Sequence, residues 1–457
     1  MACLLAYILI FSLIFAPCLA SELKREHCHK ECQEVLNKHE RNHCERMCLE
    51  KEGEEEEEKQ EEKSPFLFDE QSFKHWARSE QGYFKVLERF SKKSPWLIGI
   101  ENYRVGVIEA GPRTFIMPNH WDAAEVFFVI NGKGVISILM GENRESYDIN
   151  EGDVMRVPTG AQVYLINKDD EEKLKIASLI IPISTPGRFK EFYAVGGKDK
   201  GSFLGSFSKG VIETSFNVDS EEVLRLFEQE NRESMVKATE EQISAISKHS
   251  EGGGTPWPFA QSRKPFNLLK RRPACSNKHG ELHEVNANDY QQLRDLNIDV
   301  SVANITKGSM MMLHYNTEGT KIAYVMRGRG YFEMACPHIS SQKHQREREQ
   351  YQSVRSELSP GKVIVIPAGH PIASIASRDE GLQILCFGIR AENNQKIFLS
   401  GKNNVWRKME KEAKELAFRR SEREVDKILN AQSEQVFGPG PEKSRKEENN
   451  GQGFAEF

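Results

Sequence analysis

The chain has 457 residues, of which 38% are hydrophobic and 29% charged, and its formal net charge is −5. This length allows two large domains plus tails, and the composition is that of a globular protein, not of a disordered, collagen-like or membrane-embedded one. A slightly acidic chain is not typical of a dedicated nucleic-acid-binding protein, so we do not expect nucleic acid as a partner.

The first twenty residues, Met1 to Ala20, are almost wholly apolar and are followed at once by a charged segment. A short apolar run of this kind is typical of a cleavable secretory signal peptide. A membrane anchor is the alternative, but the run is short for a membrane span and the sequence has no other like it. We therefore expect a soluble protein of the secretory pathway, with no membrane partner.

Four cysteines follow the signal peptide as two C-x3-C pairs separated by eleven residues: Cys28, Cys32, Cys44 and Cys48. Positions i and i+4 share one face of a helix, so two antiparallel helices with this spacing can be joined by two disulfides. The pairing we predict is Cys28 with Cys48 and Cys32 with Cys44. A zinc site is the alternative, although the oxidising secretory route favours disulfides. Residues 21–50 resemble the α-hairpinin peptides found in the N-terminal extensions of some seed storage proteins.

The next segment, residues 51–63, consists mainly of glutamates and lysines. Such a segment cannot bury enough apolar surface to pack, so it is predicted to be a solvated linker open to proteases. Cleavage there would release the hairpin. A released hairpin acting as a defence peptide is one alternative function for this part of the chain.

The remainder of the chain contains an internal duplication. Residues 131–135 (NGKGV) align with 327–331 (RGRGY), and residues 152–160 (GDVMRVPTG) align with 361–369 (GKVIVIPAG). The two blocks occur in the same order in both parts of the sequence, which indicates two copies of one structural unit. A polar insert at 344–353 accounts for the difference in spacing and is predicted to be a surface loop.

Each copy has short alternating or apolar runs separated by Gly and Pro turns, which indicates antiparallel strands in a sandwich or barrel. Each copy then ends in helices, because Asp219-x-x-Glu222 and Ser421-x-x-Glu424 are capping-box patterns. Apolar residues recur at helical spacing behind both caps. We expect these helical arms to pack on a neighbouring subunit, and packing on the parent barrel is the alternative. The apolar residues concerned are Val223, Leu226 and Phe227, and Val425, Ile428 and Leu429.

The Gly-x5-Pro-x-Gly blocks at 152–160 and 361–369 resemble the two-barrel cupins, and within them the vicilin-type seed storage globulins. The resemblance extends along nearly the whole chain after the acidic linker. It is carried also by residues 64–68 (SPFLF), 265–268 (PFNL), 276–280 (SNKHG), 336–341 (CPHISS) and 398–401 (FLSG).

This resemblance implies a mainly β protein with two tandem cupin (jelly-roll-like) barrels, each followed by a helical arm. It also implies a homotrimer held in seed storage vacuoles as a nutrient reservoir, with processing and germination proteases as partners. The predicted boundaries are a signal peptide at 1–20, a hairpin at 21–50, a linker at 51–63, the first barrel with its arm at 64–250, a linker at 251–264, the second barrel with its arm at 265–437, and a disordered tail at 438–457.

Cupin enzymes hold iron or manganese with three histidines and one glutamate, and their first motif places residues i and i+2 of a strand inside the barrel. In the first barrel His120 and Glu125 are kept, whereas Pro118 and Val163 replace the other two ligands. We therefore interpret His120 and Glu125 as polar residues of the core or rim.

In the second barrel only one of the four ligand positions is kept. His314 remains, whereas Asn316, Lys321 and Ile372 replace the other ligands. A lysine ammonium offers no lone pair to a metal ion and repels a cation. The cupin metal site is thus disabled in both copies, no other catalytic motif is recognised, and we expect no enzyme activity.

Cys336 and His338 are two residues apart at a probable strand end, and the fold resemblance brings His370 near them. A thiolate with two imidazoles suits copper, or less well zinc, so a copper-binding cupin with a redox or small-ligand role is the main alternative function. The opposing interpretation is a buried free cysteine and two unrelated histidines. Phe66 stands where many vicilins have a tyrosine, so no phenol oxygen is available there.

Two further features complete the prediction. Asn304 begins the one N-x-[ST] sequon of the chain and is a candidate glycosylation site. Cys275 and Cys386 have no obvious partner.

Overall fold

A computed structural model describes residues 64–198, 200–229, 232–251, 263–337 and 351–441. The signal peptide, the hairpin with Cys28, Cys32, Cys44 and Cys48, the acidic linker and most of the 344–353 insert lie outside these residues. Two barrels of antiparallel strands and their helices lie in one compact unit, Pro65–Ser353 with Glu357–Phe457. Ser64 and Val354–Ser356 belong to a separate small unit.

The first copy contains twelve strands of the first barrel and four α-helices. The strands are β2 (Phe73–Ser79), β3 (Gly82–Leu87), β4 (Arg104–Ala110), β5 (Thr114–Trp121), β6 (Ala123–Asn131), β7 (Lys133–Met140), β8 (Asn143–Asn150), β9 (Asp153–Val157), β10 (Gln162–Asn167), β11 (Leu174–Pro182), β12 (Glu191–Phe192) and β13 (Met235–Lys237). The helices are α1 (Phe90–Lys93), α2 (Lys209–Phe216), α3 (Ser220–Phe227) and α4 (Glu240–Glu251).

The second copy repeats this order, with two α-helices among its described residues. Its strands are β15 (Cys275–Asn277), β16 (Gly280–Val285), β17 (Ile298–Ile305), β18 (Ser309–Asn316), β19 (Thr320–Gly328), β20 (Gly330–Cys336), β21 (Gln352–Leu358), β22 (Val363–Ile366), β23 (Ile372–Ala376), β24 (Leu382–Ile389), β25 (Lys396–Phe398) and β26 (Phe437–Pro439). The helices are α5 (Lys411–Phe418) and α6 (Glu422–Leu429). Short 3-10 turns lie at Glu70–Ser72, Pro95–Ile100, Phe203–Ser206, Gln291–Leu293 and Val405–Lys408.

Each barrel is made of two facing sheets. In the first barrel the sheet orders are β12-β5-β10-β7-β8 and β9-β6-β11-β4-β3-β2. In the second they are β20-β23-β18-β25 and β22-β19-β24-β17-β16-β15. The two-sheet β architecture predicted from the alternating runs is therefore confirmed in both copies.

The two barrels exchange short strands. β1 (Leu67–Phe68), which precedes the first barrel, pairs with β22 of the second barrel. β14 (Phe266–Asn267), which precedes the second barrel, pairs with β9 of the first. Each barrel thus supplies an edge strand to a sheet of the other, which protects two strand edges from pairing with other molecules.

The glycines of the aligned blocks have a structural explanation. Gly132 follows β6 and Gly328 is the last residue of β19, with φ of +85° and +80°, a region that residues with a Cβ rarely adopt. A Cβ on Gly132 would lie 2.6 Å from the Lys173 carbonyl oxygen, and one on Gly328 would lie 1.8 Å from that of Gly381. Both positions therefore require glycine, which is why the turn stands out in both copies.

The capping box predicted for α6 is present, whereas at α3 Asp219 caps the helix by accepting from the Glu221 N–H and no reciprocal bond to Glu222 is observed in the described residues. Glu424 accepts a hydrogen bond from the Ser421 backbone N–H at 3.2 Å, which forms the predicted capping box of α6.

The apolar residues of both arms divide into two sets. Val223 and Val425 are buried, whereas 66% of Leu226 and 76% of Ile428 are exposed. One part of each stripe therefore packs on its own chain, and another part faces outward.

Candidate functional site

The interior of the first barrel encloses a cavity of about 80 Å³. Three of the four cupin ligand positions identified in the sequence line it, namely His120 on β5, Glu125 on β6 and Val163 on β10. The wall is otherwise mainly apolar and aromatic, and includes Phe84, Trp121, Phe127, Ile136 and Ile176. The cavity is thus an apolar space with a few polar groups, as is typical of a small-molecule site.

Glu125 is the most perturbed acid of this cavity. Its side chain is buried, and burial together with the charge of Glu191 raises its pKa to about 7, although the Ser178 hydroxyl favours the ionised form. Desolvation has this effect because the low-dielectric interior disfavours the charged form of a carboxyl group. Glu125 therefore changes its charge near neutral pH.

Glu191, on the two-residue strand β12, is the second carboxylate of the cavity. Lys200 Nζ contacts its Oε2 at 3.0 Å, and the Tyr193 hydroxyl donates to the same oxygen at 3.1 Å. Burial raises the pKa of Glu191, and the Lys200 ammonium opposes that rise. The charge of Glu191 is thus already balanced by a lysine of this chain.

His120 is held by neighbours and not by a metal-ligand set. Its Nδ1 lies 3.1 Å from the Gln162 side-chain oxygen, and its ring stacks on Phe192 with centroids 4.9 Å apart. The amide and the aromatic ring fix the orientation of the imidazole, which agrees with our interpretation of His120 as a polar residue of the rim.

The second barrel encloses a smaller cavity of about 40 Å³. All four cupin ligand positions line it, occupied here by His314, Asn316, Lys321 and Ile372. The motif alignment therefore located the interior of both barrels correctly. Lys396 and Cys386, which no motif predicted, also line this cavity.

Two ion pairs hold the lysines of the second cavity; Lys321–Asp299 is largely buried, whereas the Glu284 side chain of the other pair is 39% exposed. Lys321 Nζ lies 2.5 and 2.7 Å from the two carboxylate oxygens of Asp299, and Lys396 Nζ lies 2.6 Å from Glu284. Burial alone would raise the pKa of Glu284, but the adjacent Lys396 ammonium outweighs it and the pKa is lowered. Lysine ammonium groups thus line this cavity where the first has carboxylates.

His314, the one retained histidine of this barrel, is neutral. Burial and the nearby positive charge of Lys396 lower its pKa to about 4. Its Nδ1–H donates to the Met312 carbonyl oxygen at 2.8 Å. Burial also raises the pKa of the Cys386 thiol to about 11, so the thiol is protonated at neutral pH.

The predicted copper site is described only in part, because His338 lies outside the described residues. The Ala335 N–H donates to the Pro371 carbonyl at 2.9 Å, so the antiparallel register of β20 places Cys336 opposite His370. Both are buried, and burial raises the pKa of the Cys336 thiol to about 12.

A thiol and an imidazole on one face fit two of the three predicted copper ligands, and binding as thiolate would require loss of the thiol proton. Phe66 packs edge-on against the His370 ring at 5.9 Å. Within the described ranges, no group of three His, Cys, Asp or Glu side chains is arranged to hold a metal ion. The three-ligand site therefore stays a prediction.

The other predicted site residues are located individually. Asn304 is exposed on β17, where its amide donates to Glu281 at 3.4 Å, and its glycosylation stays a prediction. Cys275 and Cys386 are free, as is Cys336. In the part of the chain that the structure describes, every helix is too short or too polar to cross a membrane.

Comparison with known proteins agrees with this architecture. The Cupin family model matches residues 107–224 and 266–426, once for each copy. The chain is therefore a protein with two cupin domains.

Within the cupins, the chain is most similar to one group of proteins. The chain is 44% identical over 454 residues to the vicilin Jug r 6.0101 of Juglans regia, covering 94% of this chain and 90% of that one. The crystal structure of vicilin from Corylus avellana superimposes with a TM-score of 0.76 at 42% identity, covering 83% of this chain and 100% of the other. The chain belongs to the vicilin-type 7S globulins.

A second solved vicilin, from Solanum melongena, superimposes with a TM-score of 0.79 at 37% identity and covers 84% of this chain and 100% of that one. It is described as containing different anionic ligands in structurally similar pockets.

Proposed function

We propose that this chain is a seed storage globulin, kept in storage vacuoles as a trimer and mobilised by proteolysis. The observation that carries the proposal is its 44% identity to a seed vicilin along 94% of its length. The barrel interiors support it, because cupin ligand positions hold Val163 in one copy and Asn316, Lys321 and Ile372 in the other. A stable scaffold without its metal chemistry is suited to a nutrient reserve.

The trimer is supported by the outward-facing part of the helical arms. Leu226, Leu416 and Ile428 are 66%, 81% and 76% exposed, and exposed apolar residues that cluster mark protein–protein interaction sites. A head-to-tail ring, in which each arm covers the next subunit, would bury them.

Proteolytic mobilisation is supported by the composition of the acidic linker, of the 344–353 insert and of the tail beyond Pro441. The start of the tail predicted at Gly438 was wrong, because Gly438 and Pro439 lie in strand β26, which pairs with β18. Polar, exposed segments are the preferred sites of proteolytic cleavage. Where the structure describes the insert, Tyr351 is 71% exposed. Copper binding and release of a defensive hairpin both depend on residues outside the described ranges, and they stay predictions.

The test is accumulation in the seed. Quantitative mass spectrometry of vacuoles isolated from filling seeds should find this chain among the most abundant proteins, and vegetative tissue should contain almost none. A low, constitutive level in all tissues would contradict the storage function and favour a binding or redox role.

A further inference from the structure

The first barrel contains a buried carboxyl group, Glu125, whose charge is not balanced by any residue that the structure describes. Two carboxylates line its cavity, and Glu191 is paired with Lys200 at 3.0 Å. No described residue forms an ion pair with Glu125, and no Lys or Arg is among the described residues of the cavity wall. An ionised carboxylate in an apolar interior is costly unless a positive charge accompanies it.

The same barrel shows how an ammonium group is held beside a carboxylate. Lys200 Nζ contacts Glu191 and lies 5.6 Å from the ring centroids of both Trp76 and Tyr193. That distance is within the range of favourable cation–π contacts. Glu125 has a comparable aromatic setting, because Phe84, Trp121 and Phe127 line the cavity with it.

We propose that the cavity of the first barrel binds a small primary ammonium ion, with the Glu125 carboxylate as its counter-ion and the aromatic wall around its short alkyl chain. The volume of about 80 Å³ is several times the roughly 10–15 Å³ that one water molecule needs, so it holds a ligand of a few heavy atoms. This binding site is independent of the storage function and of the copper prediction.

A proton and the ammonium ion compete for Glu125. The titratable groups that face the cavity with it are His120, Glu191, Tyr164 and Tyr193, and Lys200 lies behind Glu191. Since burial and Glu191 raise the pKa of Glu125 to about 7, the carboxyl is mostly protonated in acid and mostly ionised above pH 8. The ligand therefore binds under mildly alkaline conditions and is released on acidification.

The experiment is isothermal titration calorimetry of the full chain at pH 8 with propylammonium chloride. Two probes of the same length serve as references: 1-propanol, which is neutral, and propionate, which is negative. Propylammonium should bind at least tenfold more tightly than propanol. Its affinity should fall about tenfold between pH 8 and pH 6, because the ionised fraction of a group with a pKa near 7 falls by that factor.

Glu125→Gln should weaken propylammonium binding at least tenfold and remove the pH dependence, while any propionate binding should not weaken, because the variant removes a negative charge that repels this anion. The matched control is Glu109→Gln, which removes a carboxylate of the same barrel that pairs with Lys173 at 2.8 Å and does not line the cavity. This control should bind propylammonium like the unaltered chain.

The proposal is overturned if propylammonium gives no binding at pH 8, or if its affinity is the same at pH 6. The pH dependence of binding by the unaltered chain tests the proposal even if Glu125→Gln does not fold. An affinity equal in Glu125→Gln and Glu109→Gln would also overturn it.

Discussion

Glu125 makes the stability of this chain depend on pH in a direction opposite to that of most acidic residues. Its pKa is raised from 4.5 in the unfolded chain to about 7 in the folded one, so the folded state holds a proton that the unfolded state releases. Between these two pH values the folded state binds more protons, and stability falls as pH rises. Above pH 7 the loss from this one group is about 3 kcal/mol.

Glu125→Gln removes this titration without changing the shape of the side chain. Urea unfolding at pH 5 and pH 8, at one protein concentration, should show that the unaltered chain loses about 3 kcal/mol more stability than the variant over this interval. The difference between the two proteins isolates Glu125 from other titrating groups. An identical pH dependence would show that Glu125 has an ordinary pKa.

In the second barrel, Lys321 occupies the position that aligns with Glu125. It allows a second test of how a buried charge affects stability. Its pair with Asp299 is buried, with side-chain exposures of 7% and 16%. Lys321→Met leaves Asp299 buried without its partner and should destabilise the chain by about 3–5 kcal/mol in chemical denaturation.

The double variant Lys321→Met with Asp299→Asn removes both charges and should recover most of that loss. Lys173→Met is the control, because Lys173 is 64% exposed in its pair with Glu109 and an exposed pair contributes about 1 kcal/mol or less. Equal losses in the single and double variants would mean that the cost comes from packing and not from the unpaired charge.

At the scale of elements, the apolar residues of helix α6 have two different roles. Val425 of α6 is buried, so changing it would disturb the parent chain. Ile428, one turn further on, is 76% exposed and can be changed without opening the core. The two residues are three apart in sequence, so the apolar stripe of α6 extends beyond the part that is buried on its own chain.

Ile428→Lys should therefore convert the proposed trimer to monomer in sedimentation velocity while leaving the far-ultraviolet circular dichroism spectrum unchanged. A charged side chain in the apolar part of an interface carries a large desolvation cost. Lys427→Gln, an exposed change on the same helix, should remain trimeric. A trimeric Ile428→Lys chain would contradict the arm model of assembly.

The elements of the barrels also show what the sequence could and could not predict. Turn glycines such as Gly132 and Gly328 and the cupin positions around Glu125 and Lys321 were recognisable, because backbone geometry and strand alternation leave local patterns. Glu191, Lys200, Asp299 and Lys396 were missed. Glu191 and Lys396 line the cavities from the short strands β12 and β25, whereas Lys200 and Asp299 pair with the cavity residues Glu191 and Lys321 without lining a cavity themselves. A pairing made by tertiary folding leaves no local spacing to read.

At the scale of the whole molecule, the duplication has produced two barrels with the same frame and with side chains of opposite charge in their interiors. The aligned position holds a glutamate in one copy and a lysine in the other, and each copy has lost cupin ligands in a different way. The frame itself is kept intact by reciprocal edge strands, β1 on the second barrel and β14 on the first. The two-sheet frame has thus been retained while residues at the cupin ligand positions have changed.

Such a molecule serves as a reserve if it is stable during storage and then consumed. The most direct measurement is the amount of full-length chain per seed, followed by mass spectrometry from maturity through seedling establishment. The storage account predicts bulk accumulation at maturity and a fall to nearly nothing as the seedling grows. A level that stays constant through germination would contradict it.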